Sequence, residues 1–289
     1  MIVKEDIKDF NLDHIFDCGQ CFRWEKQSDG SYTGLAAGRQ PANIAFYPYE
    51  GEEYSGRLVI DNAFEAEYEE FWRDYLDLER DYGGIKARLS ENDPVMARAV
   101  KFGQGIRILR QDSWETVVSF IISQNNNISR IKGCIALLCE NFGEPAGEYR
   151  GKKYFKIPEA GALAALTEAD LAVCRLGYRA KYLIETAKAV EEDNYKSLLR
   201  MDKASAREAF DYLTSLCGVG PKVANCIMLF SMGKYESFPI DVRVKQAMSK
   251  LYGIDEKNTK MMAEYAAKNF GEYGGIAQQY LFYYITKSR

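Results

Sequence analysis

The stretch Leu213-Thr-Ser-Leu-Cys-Gly218-Val219-Gly220-Pro221-Lys222-Val-Ala-Asn-Cys226 restricts the fold of this chain more than any other. One helix must end at Gly218, and Pro221, with its fixed φ and missing N–H, suits the first position of the next helix. Two helices joined by so short a turn form a helix–hairpin–helix, placed at about 203–232. Gly218, Val219 and Gly220 bring backbone close to any anion, and the free N–H groups at the second helix's start face it. A nucleic-acid phosphate suits this geometry; a plain tight turn is the alternative. Such a turn also offers carbonyls to a monovalent cation, here those of Thr214, Leu216 and Val219.

The patterning around this hairpin predicts an α+β chain. Short aromatic and apolar runs at Cys21–Lys26, Tyr32–Ala37, Ala42–Tyr47 and Arg57–Asp61 are separated by turn residues such as Ser28-Asp29-Gly30, which suggests a small antiparallel sheet. From Phe64 the apolar spacing becomes helical. Helices are predicted near 94–101, 113–123, 128–141, 167–173, 178–191, 203–214, 221–232, 241–252, 257–268 and 274–286. Asp93-Pro94 fits an N-cap and first helical position, and Ser113 a helix start. Residues 1–92 are expected to form the N-terminal sheet domain with a flanking helix, and 93–289 an all-helical body.

Charge divides the same way. Residues 1–90 carry 10 Lys+Arg and 19 Asp+Glu, whereas the rest carries 28 and 23, so any DNA contact belongs to the second part. No 18-residue apolar run and no basic-then-apolar leader appears, which predicts a soluble, cytoplasmic protein without membrane contact, nucleoid-associated in a prokaryote, and expected to be a monomer. The seven cysteines, at 18, 21, 134, 139, 174, 217 and 226, fit a reducing compartment. Cys18 and Cys21 form a CxxC with no second pair, no four-cysteine run suits an iron–sulfur cluster, and His14 is the lone histidine. No catalytic metal and no cofactor is expected.

Two residues carry candidate chemistry. Lys222 lies on the first turn of the hairpin's second helix, where the dipole disfavours the ammonium form and leaves a nucleophilic amine; a phosphate-contacting lysine is the alternative. Asp241, in Phe238-Pro-Ile-Asp-Val, fits the N-cap of the next helix. An ionised carboxylate there could also stabilise positive charge growing on a sugar's anomeric carbon.

The pair of motifs Gly-Val-Gly-Pro-Lys222 and Phe-Pro-Ile-Asp241-Val resembles the helix–hairpin–helix DNA glycosylases, and the lysine resembles that of their bifunctional members. Four further motifs are similar to the 8-oxoguanine DNA glycosylase family over nearly the whole chain. They are Cys18-Gly-Gln-Cys-Phe-Arg-Trp24, Ser123-Gln-Asn-Asn-Asn-Ile-Ser-Arg130, Leu176-Gly-Tyr-Arg-Ala-Lys-Tyr182 and Ala277-Gln-Gln-Tyr-Leu-Phe282.

The resemblance implies a glycosylase/AP lyase acting on double-stranded DNA that contains a damaged purine, with the nucleotide flipped into a pocket. Lys222 is then the nucleophile that forms a Schiff base, and Asp241 its electrostatic partner. Phe282 and Cys226 cover the base, Gln278 reads its Watson–Crick edge, and the Gly19 carbonyl accepts the N7–H that 8-oxoguanine has and guanine lacks. Cys226, at i+4 from Lys222, is expected to form a thiolate–ammonium pair with it. Tyr178 is the wedge and Asn125 the gap filler, while Arg130 and Arg179 donate to the orphaned cytosine. This chain departs from the family at Ala172, where an arginine is frequent, although Arg175 is near. It departs again at Met228 and Arg243, both expected to shape the pocket. The alternatives are a glycosylase for alkylated or ring-opened purines and a non-catalytic helix–hairpin–helix DNA-binding protein. An endonuclease III-type enzyme is disfavoured by the sheet and the missing cysteine run.

Overall fold

A computed structural model describes residues 1–288. The strands β1 (Ile2–Ile7), β2 (Trp24–Lys26), β3 (Tyr32–Gly34), β4 (Ala42–Tyr49) and β5 (Glu52–Asp61) form one antiparallel sheet in the order β1-β5-β4-β3-β2. Alternation along β5 sends Leu58 and Ile60 inward, where they are buried with Ile44, Phe16 and Trp24. Strand β1 escapes sequence reading because Lys4, Glu5 and Asp6 interrupt its pattern and only Ile2, paired with Ile60, is fully covered. The predicted strand from Cys21 is shorter, since Cys21 and Phe22 belong to the loop that precedes β2. The helical spacing after Phe64 gives a π-helical turn, Tyr68–Trp72, followed by Arg73–Tyr75. Trp72 and Tyr75 close the sheet's core.

The remainder is mostly helical, so the expected α+β architecture holds. Helix Ser113–Ser123 runs through its centre and is buried from Ser113 to Ile122. It starts at Ser113 as expected, and Asp112 caps it, accepting from the Glu115 N–H at 2.8 Å. Asp93 caps Pro94–Phe102 as its sequence suggests. Helix Tyr82–Ser90 was hidden by Gly83-Gly84; its Tyr82, Ile85 and Leu89 pack into the helical core. The predicted helix at 167–173 is a short 3-10 turn, Asp170–Cys174, and Arg175 and Gly177 then take left-handed conformations (φ 57° and 59°). That double reversal delivers Tyr178 to the start of helix Arg179–Glu191.

A second hairpin, β6 (Pro145–Tyr149) and β7 (Lys152–Phe155), has mostly exposed side chains and therefore no readable alternation. It joins the acidic sheet domain to the basic remainder. Lys152 pairs with Glu25 at 2.7 Å, Tyr149 donates to Asp61 at 2.7 Å, and Arg23 donates to the Phe155 carbonyl. Arg23 also pairs with buried Glu115 on the central helix at 3.1 Å. Part of the charge asymmetry thus serves contact within the chain. Among the described residues no helix is long and apolar enough to cross a membrane.

Candidate active site

The hairpin forms as its sequence requires. Ser205 and Glu208 make a capping box on helix Ala206–Ser215, Gly218 turns the chain at φ +77°, and Pro221 opens helix Pro221–Phe230. A Cβ on Gly218 would lie 2.5 Å from the Tyr182 ring, so glycine is needed for space as well as conformation. Nothing crowds the corresponding position on Gly220. The first intrahelical bond runs from the Ala224 N–H to the Gly220 carbonyl, leaving the Lys222 and Val223 N–H groups ahead of it. Of the three carbonyls expected to face a cation, that of Leu216 already accepts the Val219 N–H at 3.1 Å.

A cleft of about 1000 Å³ opens between the starts of helices Pro221–Phe230 and Val242–Tyr252, helix Gly274–Lys287, the Cys18–Phe22 loop and the Asn125 turn. Lys222, Asp241, Gly19, Cys226, Gln278, Phe282 and Asn125 all line it, although up to 263 positions separate them in sequence. The Lys222 ammonium nitrogen lies 5.2 Å from the centroid of the Phe120 ring. Asp241 caps helix Val242–Tyr252, its Oδ1 accepting from the Val244 N–H at 2.7 Å. Capping and exposure to the cleft are therefore compatible for this one carboxylate.

Burial pushes the Cys226 thiol up to about 11, with Lys222 pulling it down and Asp241 pushing it up. All three side chains are close enough to feel one another. Burial thus favours the thiol over the thiolate of the expected thiolate–ammonium pair, loss of solvation outweighing the nearby cation. Gln278 is 4% exposed and, among the described residues, nothing donates to its Oε1. Gly19 has φ +79°, and a Cβ there would stand 3.3 Å from the Phe282 ring, so this loop backs directly onto that ring.

Other expected positions fall elsewhere. Met228 is buried in the helical core and does not line the cleft; two residues past Cys226, it points to the far side of the helix. Arg243 does line the cleft, donating to Gln246 at 3.2 Å. Tyr178 is about half exposed, edge-on to Tyr182 with centroids 5.5 Å apart, and Asn125 is exposed with φ 46°. Arg130 is exposed and donates to the Arg175 carbonyl at 3.3 Å. Arg179, by contrast, is buried. Its Nε and Nη2 donate to the Gln124 carbonyl, Nη2 also to Asn125 at 3.0 Å and Nη1 to Leu176 at 3.1 Å. Through these bonds the guanidinium, expected to donate to a cytosine, holds the asparagine turn against the wedge.

Sequence reasoning gave no role to Gln20 or Gln124. Gln20 is fully buried and bonds the carbonyls of Ile15 and Arg107 and the Leu109 N–H, at 2.8 to 2.9 Å, fixing the Gly19 loop. Gln124 donates to the Gly218 carbonyl at 2.9 Å, tying the asparagine turn to the hairpin. Most of these partners lie 87 to 94 positions away, beyond any local signal.

Fold and site together define a helix–hairpin–helix DNA-repair protein: the sequence model of the HhH-GPD superfamily of base excision DNA repair proteins matches residues 118–272. The N-terminal domain model of 8-oxoguanine DNA glycosylase matches residues 2–117. The N-glycosylase/DNA lyase OGG1 of Arabidopsis thaliana is 30% identical over 284 residues, covering 95% of this chain and 77% of that protein. The chain belongs to the 8-oxoguanine DNA glycosylase family. Among solved structures, the Clostridium acetobutylicum 8-oxoguanine glycosylase/lyase, in complex with double-stranded DNA containing cytosine opposite 8-oxoG, is 42% identical with a TM-score of 0.91, covering 99% of this chain and 97% of that one. A structure of MBOgg1 with a low-affinity DNA ligand is 45% identical, also with a TM-score of 0.91, covering 99% and 95%.

Proposed function

We propose that this protein is a bifunctional DNA glycosylase/lyase that excises 8-oxoguanine from duplex DNA in base excision repair. The observation that carries this reading is the meeting of Lys222, Asp241 and the unpartnered Gln278 carbonyl in one cleft. An orphaned buried acceptor costs free energy until a ligand supplies a donor, and the N1–H and N2–H₂ of a guanine-type base are such donors.

The hairpin's N–H groups hold a backbone phosphate. Tyr178 wedges the duplex, Asn125 fills the gap, and Arg130 and Arg179 contact the orphaned cytosine. The flipped base lies against Phe282, with Cys226 on its other face and its N7–H on the Gly19 carbonyl. The side-chain nitrogen of Lys222, once its proton has passed to solvent, attacks the anomeric carbon, the glycosidic bond breaks, and its electron pair leaves with the base. Asp241 stabilises the positive charge that grows on the sugar. The sugar ring opens to a Schiff base on Lys222. Loss of a proton from C2′ then expels the 3′ phosphate, nicking the strand. The cleft is complete within one chain, which supports action as a monomer. The seven free cysteines support a reducing compartment such as the cytoplasm.

The test is release of base from duplexes carrying 8-oxoguanine opposite each of the four bases, beside duplexes carrying an alkylated purine. Release of 8-oxoguanine followed by strand cleavage is expected. Release of the alkylated purine alone moves the substrate, and binding without turnover favours a non-catalytic module.

A further inference from the structure

Gln279 is a buried amide that the mechanism above does not use. It is 2% exposed, lines the cleft, and stands three residues before Phe282 on the same helix. Its Nε2 reaches the Cys18 sulfur at 3.8 Å, and a thiol sulfur is a weak acceptor. Cys18 is itself engaged, its S–H donating to the Ile15 carbonyl at 3.2 Å. Among the described residues nothing donates to the Gln279 side-chain carbonyl. A buried primary amide with a single poor contact is unusual, because buried polar groups are as a rule hydrogen-bonded. Its location gives the shortfall meaning. Cys18 immediately precedes Gly19, and Gly19 backs onto the Phe282 ring, so the Gln279 amide and the Gly19 loop share one end of the slot.

We propose that Gln279 is a second reading residue for the damaged base, its Nε2 donating to the C8 carbonyl of 8-oxoguanine. This rests on the 8-oxoguanine reading above. The oxidised five-membered ring carries a donor, N7–H, beside an acceptor, C8=O. Guanine carries an N7 acceptor and a C8–H at those places. The Gly19 carbonyl and the Gln279 amide, which both line the cleft, supply the complementary acceptor and donor. Both contacts then favour the lesion, and both are lost with the normal base. Gln278, one position earlier on the helix, remains the reader of the opposite edge.

The test compares single-turnover excision from an 8-oxoguanine:cytosine duplex with cleavage of a preformed abasic duplex, in wild type, Gln279→Ala and Gln279→Glu. The ratio of excision to abasic-site cleavage is expected to fall about tenfold in Gln279→Ala, the effect of one lost donor to a buried carbonyl. Abasic-site cleavage has no base to read and serves as the internal reference. Gln279→Glu keeps the size but replaces the donor with an acceptor, so its ratio falls at least as far. Equal losses of both activities in step with a lowered Tm, or full excision by Gln279→Glu, overturn the proposal in favour of packing. A wild type that leaves 8-oxoguanine in place overturns the functional reading and this inference with it. A wild type that excises no better than the two variants overturns the role of Gln279 alone.

Discussion

The cleft wall and the wedge beside it treat their polar groups differently. On the side of helix Gly274–Lys287, the Gln278 carbonyl and the Thr286 hydroxyl are buried without partners among the described residues. On the wedge side, all three nitrogens of the Arg179 guanidinium are engaged by the Gln124, Asn125 and Leu176 carbonyls. A base entering the first side forms hydrogen bonds that cost nothing already made. A cytosine recruiting Arg179 exchanges existing bonds for new ones, so the net gain is smaller. The contrast predicts that selection rests more on the lesion than on the base opposite it.

The largest effect belongs to the chemistry. Asp241→Asn keeps a good N-cap and removes the charge, so excision should fall about 100-fold or more while Tm, followed by circular dichroism, stays near wild type. A matching fall in Tm would instead reduce Asp241 to a cap. Next, Gln278→Ala should lower single-turnover excision of 8-oxoguanine about tenfold, with the same loss opposite every base. Arg179→Ala comes third. It removes side-chain donors from the Gln124, Asn125 and Leu176 carbonyls and should cost about 1–3 kcal/mol of stability in denaturant unfolding. Its cytosine preference, measured across the four opposite bases, should fall less than the Gln278→Ala excision rate does. A larger loss of cytosine preference would reverse the comparison between the two sides.

The smallest effect concerns Cys226, and it is absent at neutral pH. Its thiol is held up to about 11, against an ordinary 9.0, by burial. Between these values the unfolded chain releases this proton and the folded one keeps it, so this group's contribution to stability falls as pH rises through that window. Alkylation of Cys226 by iodoacetamide should accordingly be slow at pH 8 and accelerate only towards pH 11. Rapid alkylation at pH 7 would restore the thiolate–ammonium pair.

What could be read from the sequence follows the range of the interaction. The hairpin, the Asp241 cap and the Asp93-Pro94 start are set by a few adjacent residues, and each stands as its motif indicates. The Gly19, Gln278 and Phe282 set came from motif resemblance, and the fold brings those residues to one cleft. Gln20, Gln124 and Gln279 were invisible as actors because their partners are far along the chain. Arg179 was placed on the right element, but a motif cannot show that its donors hold the asparagine turn. Met228, expected in the pocket, is turned into the core by its helical phase, two residues from Cys226. The β6–β7 hairpin was missed because exposed strands need no apolar alternation.

The central claim is that Lys222 is the attacking group. Borohydride reduction during turnover of an 8-oxoguanine duplex, followed by proteolysis and mass spectrometry of the adduct, tests it directly. The account predicts a deoxyribose-derived mass on the peptide containing Lys222, and no adduct with Lys222→Gln. An adduct on another lysine or on the N-terminal amine, or trapping undiminished in Lys222→Gln, would contradict it.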